Sequence, residues 1–574
     1  MPQGRKGEIM REYLSPGVYV EEYDNSPRTV EGAGTSTAGF VGLTERGPIT
    51  GEPVLITGFS EFTKIFGGFL GAFTHGEYRY LPSCVEQFFA NGGTRCYVSR
   101  VIPEDAKKAE NAAGFIIFQA ANEGKWGNRI QIAFKSVKKK KMQVMSQQED
   151  KKQVYTVKSA EGFREGDLVF AKNQYNRIAA IFDNVVTMEE PFTEDITDDS
   201  LVPETLLYLV ETDMTVKCDD IAEEYRGLTL NVSSENYIGE RLKSSRLISV
   251  ILEEGDKRGD IVEAIFGENM SEGTIMLEGG FDGTIEKLNA GTFIGEDKGP
   301  GRRTGIQSFL ENDRVSIMAV PGITIPEVMV SLVSHCENMG NRFAILDMPK
   351  ELTDIKELLE YRGMIDSTYA AMYHPWLKVY DRMLKKPDFI PPSASVAGVY
   401  AKTDAGRGVH KAPANETIAC TGLKTNYTSG EQDMLNPEGI NLIREINGMG
   451  IRIWGARTAS SNGAFRYVNV RRLFIYVEES IKRSTGWVVF EPNDASLWSR
   501  VSITITSFLD NIYRMGMLAG STPEESYFVE IGASTMTPDD IRAGRLICNV
   551  GIAPSRPAEF VIFKVTQFTA EAAG

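Results

Sequence analysis

The sequence is poor in the residues that most metal and redox chemistry needs. Its 574 residues include six cysteines, at 84, 96, 218, 336, 420 and 548, and no two stand in C-x-x-C spacing. That excludes the local zinc and dithiol patterns and leaves scattered reduced thiols, as in a cytoplasmic protein. Histidines are few, at 75, 335, 374 and 410. There is no H-E-x-x-H, no G-x-x-x-x-G-K-[ST] loop and no metal-ligand cluster, so no cofactor or metal is expected. No apolar run approaches the roughly 18 residues of a membrane span. Residues 1–10 are polar and Gly-rich with no apolar signal core. The expectation is a chain folded in a cytoplasm, without membrane insertion. Positive charge is in deficit too: 62 Lys and Arg stand against 78 Asp and Glu, a net −16. A general nucleic-acid binder needs the opposite balance.

What is present is length, ordinary hydrophobicity and many turn residues. The chain is too long for one core, and about three to five domains are expected. Fifty-five glycines and 24 prolines are spread along it. An arm over 1–34 carries Leu14-Ser15-Pro16-Gly17 and then an alternating strand, Val18, Tyr19, Val20, Glu21, Glu22 and Tyr23. Residues 35–124 read as an α/β segment, with a buried strand near Phe40 and a helix over 81–91 stopped by Gly92-Gly93. Short β-branched runs make 125–283 a β-rich region. Its basic run, Lys138 to Lys141, lacks aromatic interleaving and reads as a solvated hairpin tip. Over 284–445 strands and helices alternate in the βαβ manner of a parallel sheet covered by helices.

The last 130 residues change character. A helix over 470–483 buries Val470, Leu473, Val477 and Ile481. A second, over 495–515, has Trp498, Val501, Ile505, Phe508 and Ile512 on one stripe; Arg500, Thr504, Ser507, Asn511 and Arg514 lie opposite. Strands are expected over 527–531 and 545–550. After Pro554 and Pro557, a lone strand over 560–568 precedes a small polar tail. Both ends of the chain are thus single strands on loose leads. A lone strand has unpaired backbone groups and must join a sheet, its own or a neighbour's. If each copy ties to two neighbours head to tail, the contacts generate a helical array.

The ordered motifs resemble the contractile phage tail sheath family, which includes the sheath-like subunits of contractile injection systems. They begin with Tyr13-Leu14-Ser15-Pro16-Gly17-Val18-Tyr19-Val20-Glu21-Glu22, then Phe40-Val41-Gly42 with Arg46-Gly47-Pro48. Phe88-Phe89-Ala90-Asn91-Gly92-Gly93 leading to Cys96-Tyr97-Val98, Trp126-Gly127-Asn128 and Leu277-Glu278-Gly279-Gly280-Phe281-Asp282-Gly283 follow. The most specific is Pro391-Pro392-Ser393-Ala394-Ser395 with Arg407-Gly408-Val409-His410-Lys411-Ala412-Pro413. Asn447-Gly448-Met449-Gly450, Ile453-Trp454-Gly455-Ala456-Arg457-Thr458 and Tyr467-Val468-Asn469-Val470-Arg471-Arg472 complete the set.

The resemblance implies an α+β multidomain subunit. Its parts would be a subtilisin-like α/β middle domain over 284–445, an inserted β-rich outer decoration over 125–283, an α+β assembly domain over 446–555 and a donor-strand arm over 556–574. It implies a structural protein with no catalytic residues. Many copies would polymerise helically around an inner tail tube and contract to drive that tube through the target cell envelope. Val18, Tyr19, Val20, Glu21 and Tyr23 match one donor strand, and Val561, Ile562, Phe563 and Val565 the other. Tyr527, Val529 and Ile531 with Leu546, Cys548 and Val550 would receive them. Arg500 and Arg514 would face the tube. The implied partners are further copies, the tube protein, and baseplate and tail terminator proteins, with no nucleic acid. The implied place is a virion tail or injection particle, assembled in the bacterial cytoplasm.

A subtilisin-like fold raises the alternative of a serine hydrolase, which needs a nucleophile, a base and an orienting acid. Ser393 and Ser395 lack the Gly-Thr-Ser-Met setting of such a nucleophile, and His335 and His374 lack an active-site context. The Gly295, Gly299, Gly301 and Gly305 loop with Arg302 and Arg303 could hold an anion but reads better as a surface loop.

Overall fold

The computed structural model describes residues 30–113, 115–193, 196, 205–252, 261–267 and 270–562. The chain divides into two units, the larger Gly34–Tyr476 with Arg556–Gly574, the smaller Met1–Ala33 with Val477–Ser555. The division falls inside the helix Val468–Ser484. Helices and sheets are mixed throughout.

The larger unit is built on a nine-stranded sheet in the order Val54–Ile56, Cys96–Arg100, Ala38–Gly42, Ile317–Ala319, Phe343–Asp347, Ala370–His374, Ile440–Ile446, Gly450–Ile453, Glu416–Thr417. From Cys96–Arg100 to Ile440–Ile446 neighbours run parallel, and the outlying strands are antiparallel. Side chains alternate between two buried faces. Phe40, Ile317, Phe343 and Ile345 enter one core with the helices Leu81–Ala90 and Ser393–Arg407. Val41, Met318, Ala344 and Leu346 enter the other with the helix Pro326–Met339. Covering both faces is why these strands read as unbroken apolar runs. Gly398 lets the first pair of helices touch; a Cβ there would stand 2.5 Å from the Phe88 carbonyl oxygen.

The sheet corrects two expected boundaries. Segments 35–124 and 284–445 are not separate: Ala38–Gly42 and Ile317–Ala319 are hydrogen-bonded neighbours. Strands Ile440–Ile446 and Gly450–Ile453 also close this sheet, so the smaller unit starts at Val477, not 446. Sequence spacing could not reveal this, because parallel neighbours are joined by long crossovers.

The β-rich insertion begins earlier than 125. Lys107 bridges Phe281 and Glu110 bridges Glu278, forming a neck. Asn128 clasps it, donating to the Gly280 carbonyl at 3.0 Å and accepting from the Gly280 N–H at 2.7 Å. Above the neck, strands Glu110–Ala113, Ile116–Ala120 and Ile248–Leu252 form one sheet. Ile221–Leu228, Glu211–Cys218, Gln131–Val137 and Glu272–Met276 form another. Both close on a core containing Trp126, Phe118, Phe134 and Val216. A second body is a closed barrel of Gln174–Phe182, Val185–Met188, Lys151–Val157, Lys141–Gln148, Leu206–Leu209 and Leu168–Ala171. The basic run is not a hairpin tip but the link from Gln131–Val137 into this barrel. Lys138 lies 3.4 Å over the Phe170 ring centroid and Lys140 lies 3.6 Å from Glu211. In the glycine loop, Arg303 is taken by Asp297 at 2.7 Å and Glu311 at 2.5 Å, in keeping with a surface loop.

A buried ion pair braces the larger unit. Arg472 forks onto Asp404 at 2.9 and 2.6 Å, with side chains 3% and 2% exposed, and also donates to the Thr35 carbonyl. Asp404→Ala leaves that guanidinium buried without its counter-charge. Urea unfolding should show a loss of about 3–5 kcal/mol, whereas cutting the exposed Arg226–Glu224 pair should change stability by about 1 kcal/mol or less.

Candidate functional site: a sheet with two open edges

Alternating half-buried and exposed residues in Tyr527–Ile531 make a strand with one wet face. It pairs antiparallel with Cys548–Ile552, placing Val529 opposite Val550 and Ile531 opposite Cys548. Tyr527, Val529 and Ile531 are half-buried, and the strand packs on the helix Ala495–Arg514. On the other face Phe528 is 53% exposed and lies across Gly551, where a Cβ would come within 2.1 Å of its ring. Among the described residues each strand has only the other as a ladder partner. Past Ile552 the chain turns onto 517–519, with Ala519 N–H donating to the Ala553 carbonyl at 2.8 Å. Among the described residues the sheet thus has two outer edges whose backbone groups have no strand to bond. The expected second receiving strand is displaced: Leu546 lies in the approach to Cys548–Ile552, after the Gly544 turn that follows helix Pro538–Arg542.

Asp494 caps the helix Ala495–Arg514, accepting from Leu497 N–H at 2.9 Å. Its buried stripe is Leu497, Val501, Thr504, Ile505, Phe508, Leu509 and Ile512. Trp498 is only half-buried, its indole donating to Asn493 at 2.7 Å. Thr504, expected on the wet face, is buried because its hydroxyl returns to the Arg500 carbonyl at 2.8 Å, so the group brings no unmet bond inward. Arg500 and Arg514 do lie on the exposed face, with Ile503 at 57% exposure. Each is held within the chain, Arg500 to Glu491 at 3.2 Å and over the Trp487 ring, Arg514 to Asp510 at 2.7 Å.

Of the donor residues, Val18, Tyr19, Val20, Glu21 and Tyr23 lie outside the described residues, as do Phe563 and Val565. Val561 and Ile562 are described; they are 68% and 81% exposed and in no strand. The lead from the first arm is docked: Ala33 N–H donates to Ser480 Oγ at 2.9 Å and Glu31 N–H to Ser484 Oγ at 3.2 Å.

One constellation escaped sequence reasoning. Glu559, at the root of the second arm, receives four hydrogen bonds. Asn436 Nδ2 at 2.7 Å and Arg457 Nε at 2.9 Å meet Oε1; Arg457 Nη2 and Tyr467 hydroxyl, both at 2.8 Å, meet Oε2. Its partners are scattered by up to 123 positions in sequence. The available signal was Arg457 itself, a charged residue inside one of the ordered family motifs.

The hydrolase residues do not form a relay. Ser393 is fully buried and donates to Asp347 Oδ2 at 2.7 Å. Burial pushes the Asp347 carboxyl up to about 6, against hydrogen bonds from Gly322 and Ser393 that pull it down. The rings of His75, His335 and His374 bond to Thr74, Arg342 and Tyr427, not to a serine.

Residues 300–459 match the phage tail sheath protein central domain and 460–568 the phage tail sheath C-terminal domain. A protein of Pseudomonas aeruginosa (strain UCBPP-PA14) described as a prophage major tail sheath protein is 24% identical over 315 residues, 53% of this chain and 78% of the relative. The tail sheath protein of Salmonella phage ViI is 25% identical over 257 residues, 40% of this chain and only 39% of the relative. In fold, the chain is similar to the sheath complex of the extracellular contractile injection system PVC in its contracted state. The TM-score is 0.53 at 23% identity, over 98% of this chain and 99% of that one.

The packing of the smaller unit generates a direct check. Leu509→Ala, at a site with no exposure, should cost about 2–5 kcal/mol in a denaturant melt. Ile503→Ala on the wet face should change stability by about 0.5 kcal/mol or less.

Proposed function

Since this chain belongs to the phage tail sheath family, we propose that it is the sheath subunit of a contractile tail or a related contractile injection particle. Many copies wind around an inner tail tube, and contraction of the helix drives the tube through the target cell envelope. The observation that carries the assembly mechanism is the two-stranded sheet Tyr527–Ile531 and Cys548–Ile552, whose outer edges no other strand among the described residues covers. Such an edge is a template for further strands. Segment 18–23 of one neighbour would add to one edge and 560–568 of another neighbour to the other. Exposure of Val561 and Ile562, apolar side chains in no sheet of their own, supports this. Each added strand contributes several backbone bonds at about 1 kcal/mol net. Val561, Phe563 and Val565 would add apolar burial at about 25 cal/mol per Å².

Head-to-tail links of this kind do not close and so grow helically. Loose leads let subunit bodies move while the strands stay paired, and contraction becomes rigid-body repacking. The subtilisin-like reading of the middle domain is supported by its parallel strands with helices on both faces. The insertion, joined by a single neck, suits an outward decoration. Arg500 and Arg514 would meet acidic groups of the tube through exposed pairs worth about 0–1 kcal/mol each, weak enough to release on firing. Baseplate and terminator proteins would cap the helix, nucleic acid has no part in it, and assembly takes place in the bacterial cytoplasm. The binding chemistry is structural, not enzymatic.

Expressed alone, the chain should form hollow tubes visible by electron microscopy. Deleting 560–574 should leave the melting temperature unchanged and abolish the tubes; tubes that persist would count against strand exchange. The double variant Arg500→Glu/Arg514→Glu should still form tubes by itself but fail to co-sediment with the tail tube. Undiminished co-sedimentation would remove these arginines from the tube contact.

A further inference from the structure

We propose that Glu559 is the fixed root of the C-terminal donor arm: locked between Arg457, Tyr467 and Asn436, it ties the arm to the larger unit, so that only residues beyond it travel to a neighbouring copy. The inference rests on the strand-exchange reading above. From Arg556 onward the chain belongs to the larger unit. Its last backbone hydrogen bond before that is Ser555 N–H to the Met517 carbonyl at 3.3 Å. Thereafter 555–562 are in no helix or strand. Among the described residues of the arm, the Glu559 carboxylate is held by two donors on each oxygen.

The socket is stiff. The Arg457 guanidinium is 8% exposed and its fork matches the carboxylate in-plane, a geometry lysine cannot supply. The Arg457 backbone is itself clamped: its N–H donates to Asn441 Oδ1 at 2.7 Å and its carbonyl accepts from Asn441 Nδ2 at 2.8 Å. Asn441 is fully buried in strand Ile440–Ile446 and also donates to the Met372 carbonyl of the next strand, at 3.1 Å. Tension on the arm therefore runs through Glu559 and Arg457 into the parallel sheet. Burial pushes the Glu559 carboxyl up, but the hydrogen bonds from Arg457, Asn436 and Tyr467 outweigh it and hold it below the ordinary 4.5. A depressed carboxyl stabilises the folded state fully above that ordinary value, and the contribution is lost as pH falls through the depressed one. The grip is thus intact at neutral pH.

Glu559→Gln places an amide NH₂ against donors. Glu559→Asp keeps the charge but falls one methylene short. In the unassembled chain, chymotryptic cleavage after Phe560 should run about tenfold faster in Glu559→Gln, with Glu559→Asp intermediate and the helical circular dichroism unchanged. In electron micrographs, Glu559→Gln tubes should lose their regular helical repeat while 560–568 remain protected on assembly. Unchanged cleavage after Phe560 together with an unchanged repeat would overturn the anchor alone. Absence of protection at 560–568 in wild-type tubes would overturn the strand exchange beneath it.

Discussion

A two-stranded sheet is a poor structure in water: it buries little, and each strand leaves one row of N–H and C=O groups without a ladder partner. In this chain that deficit is placed at Tyr527–Ile531 and Cys548–Ile552 and only partly offset by the helix Ala495–Arg514 beneath one face. Everything else in the assembly account follows from it. In the proposed assembly these edges would take up the apolar segments 18–23 and 560–568 of two different neighbours. Identical subunits satisfying one another in this way would be tied into a lattice by backbone hydrogen bonds, which would tolerate changes in subunit orientation as long as the leads flex.

The larger unit answers a different demand. A body that must move as a whole needs internal stiffness, and its sheet is buried on both faces, with Arg472 and Asp404 paired beneath the helix Ser393–Arg407 and Val468–Ser484. The serine that could have suggested hydrolysis is spent on that stiffness: Ser393 ties the start of its helix to Asp347 at the end of strand Phe343–Asp347. Glu559 then connects the same framework to the arm.

Much of this was legible in the sequence. Val41, Met318 and Leu346 announced buried parallel strands because burial on both faces removes alternation. Tyr527–Ile531 was expected as a strand, and its alternation, half-buried against exposed, emerges in the structure because one face packs on a helix. The apolar stripe through Val501, Ile505, Phe508 and Ile512 placed the helix Ala495–Arg514. What sequence could not supply was non-local. Ala38–Gly42 lies beside Ile317–Ala319 across a long insertion, and nothing in either segment names the other. Thr504 misled because a hydroxyl can satisfy itself within its own helix. Leu546 misled because β-branched and apolar residues continue upstream of where the pairing starts. Glu559 and Arg457 stand 102 positions apart, and only the fold brings them to 2.8 Å.

The most direct test is a side-chain-resolution cryo-electron microscopy map of the assembled tube. The account predicts a four-stranded sheet in every subunit, with Tyr527–Ile531 and Cys548–Ile552 at its centre and the two outer strands traceable to two different neighbouring chains. A map in which those edges stay bare, or are filled by the subunit's own ends, would contradict it.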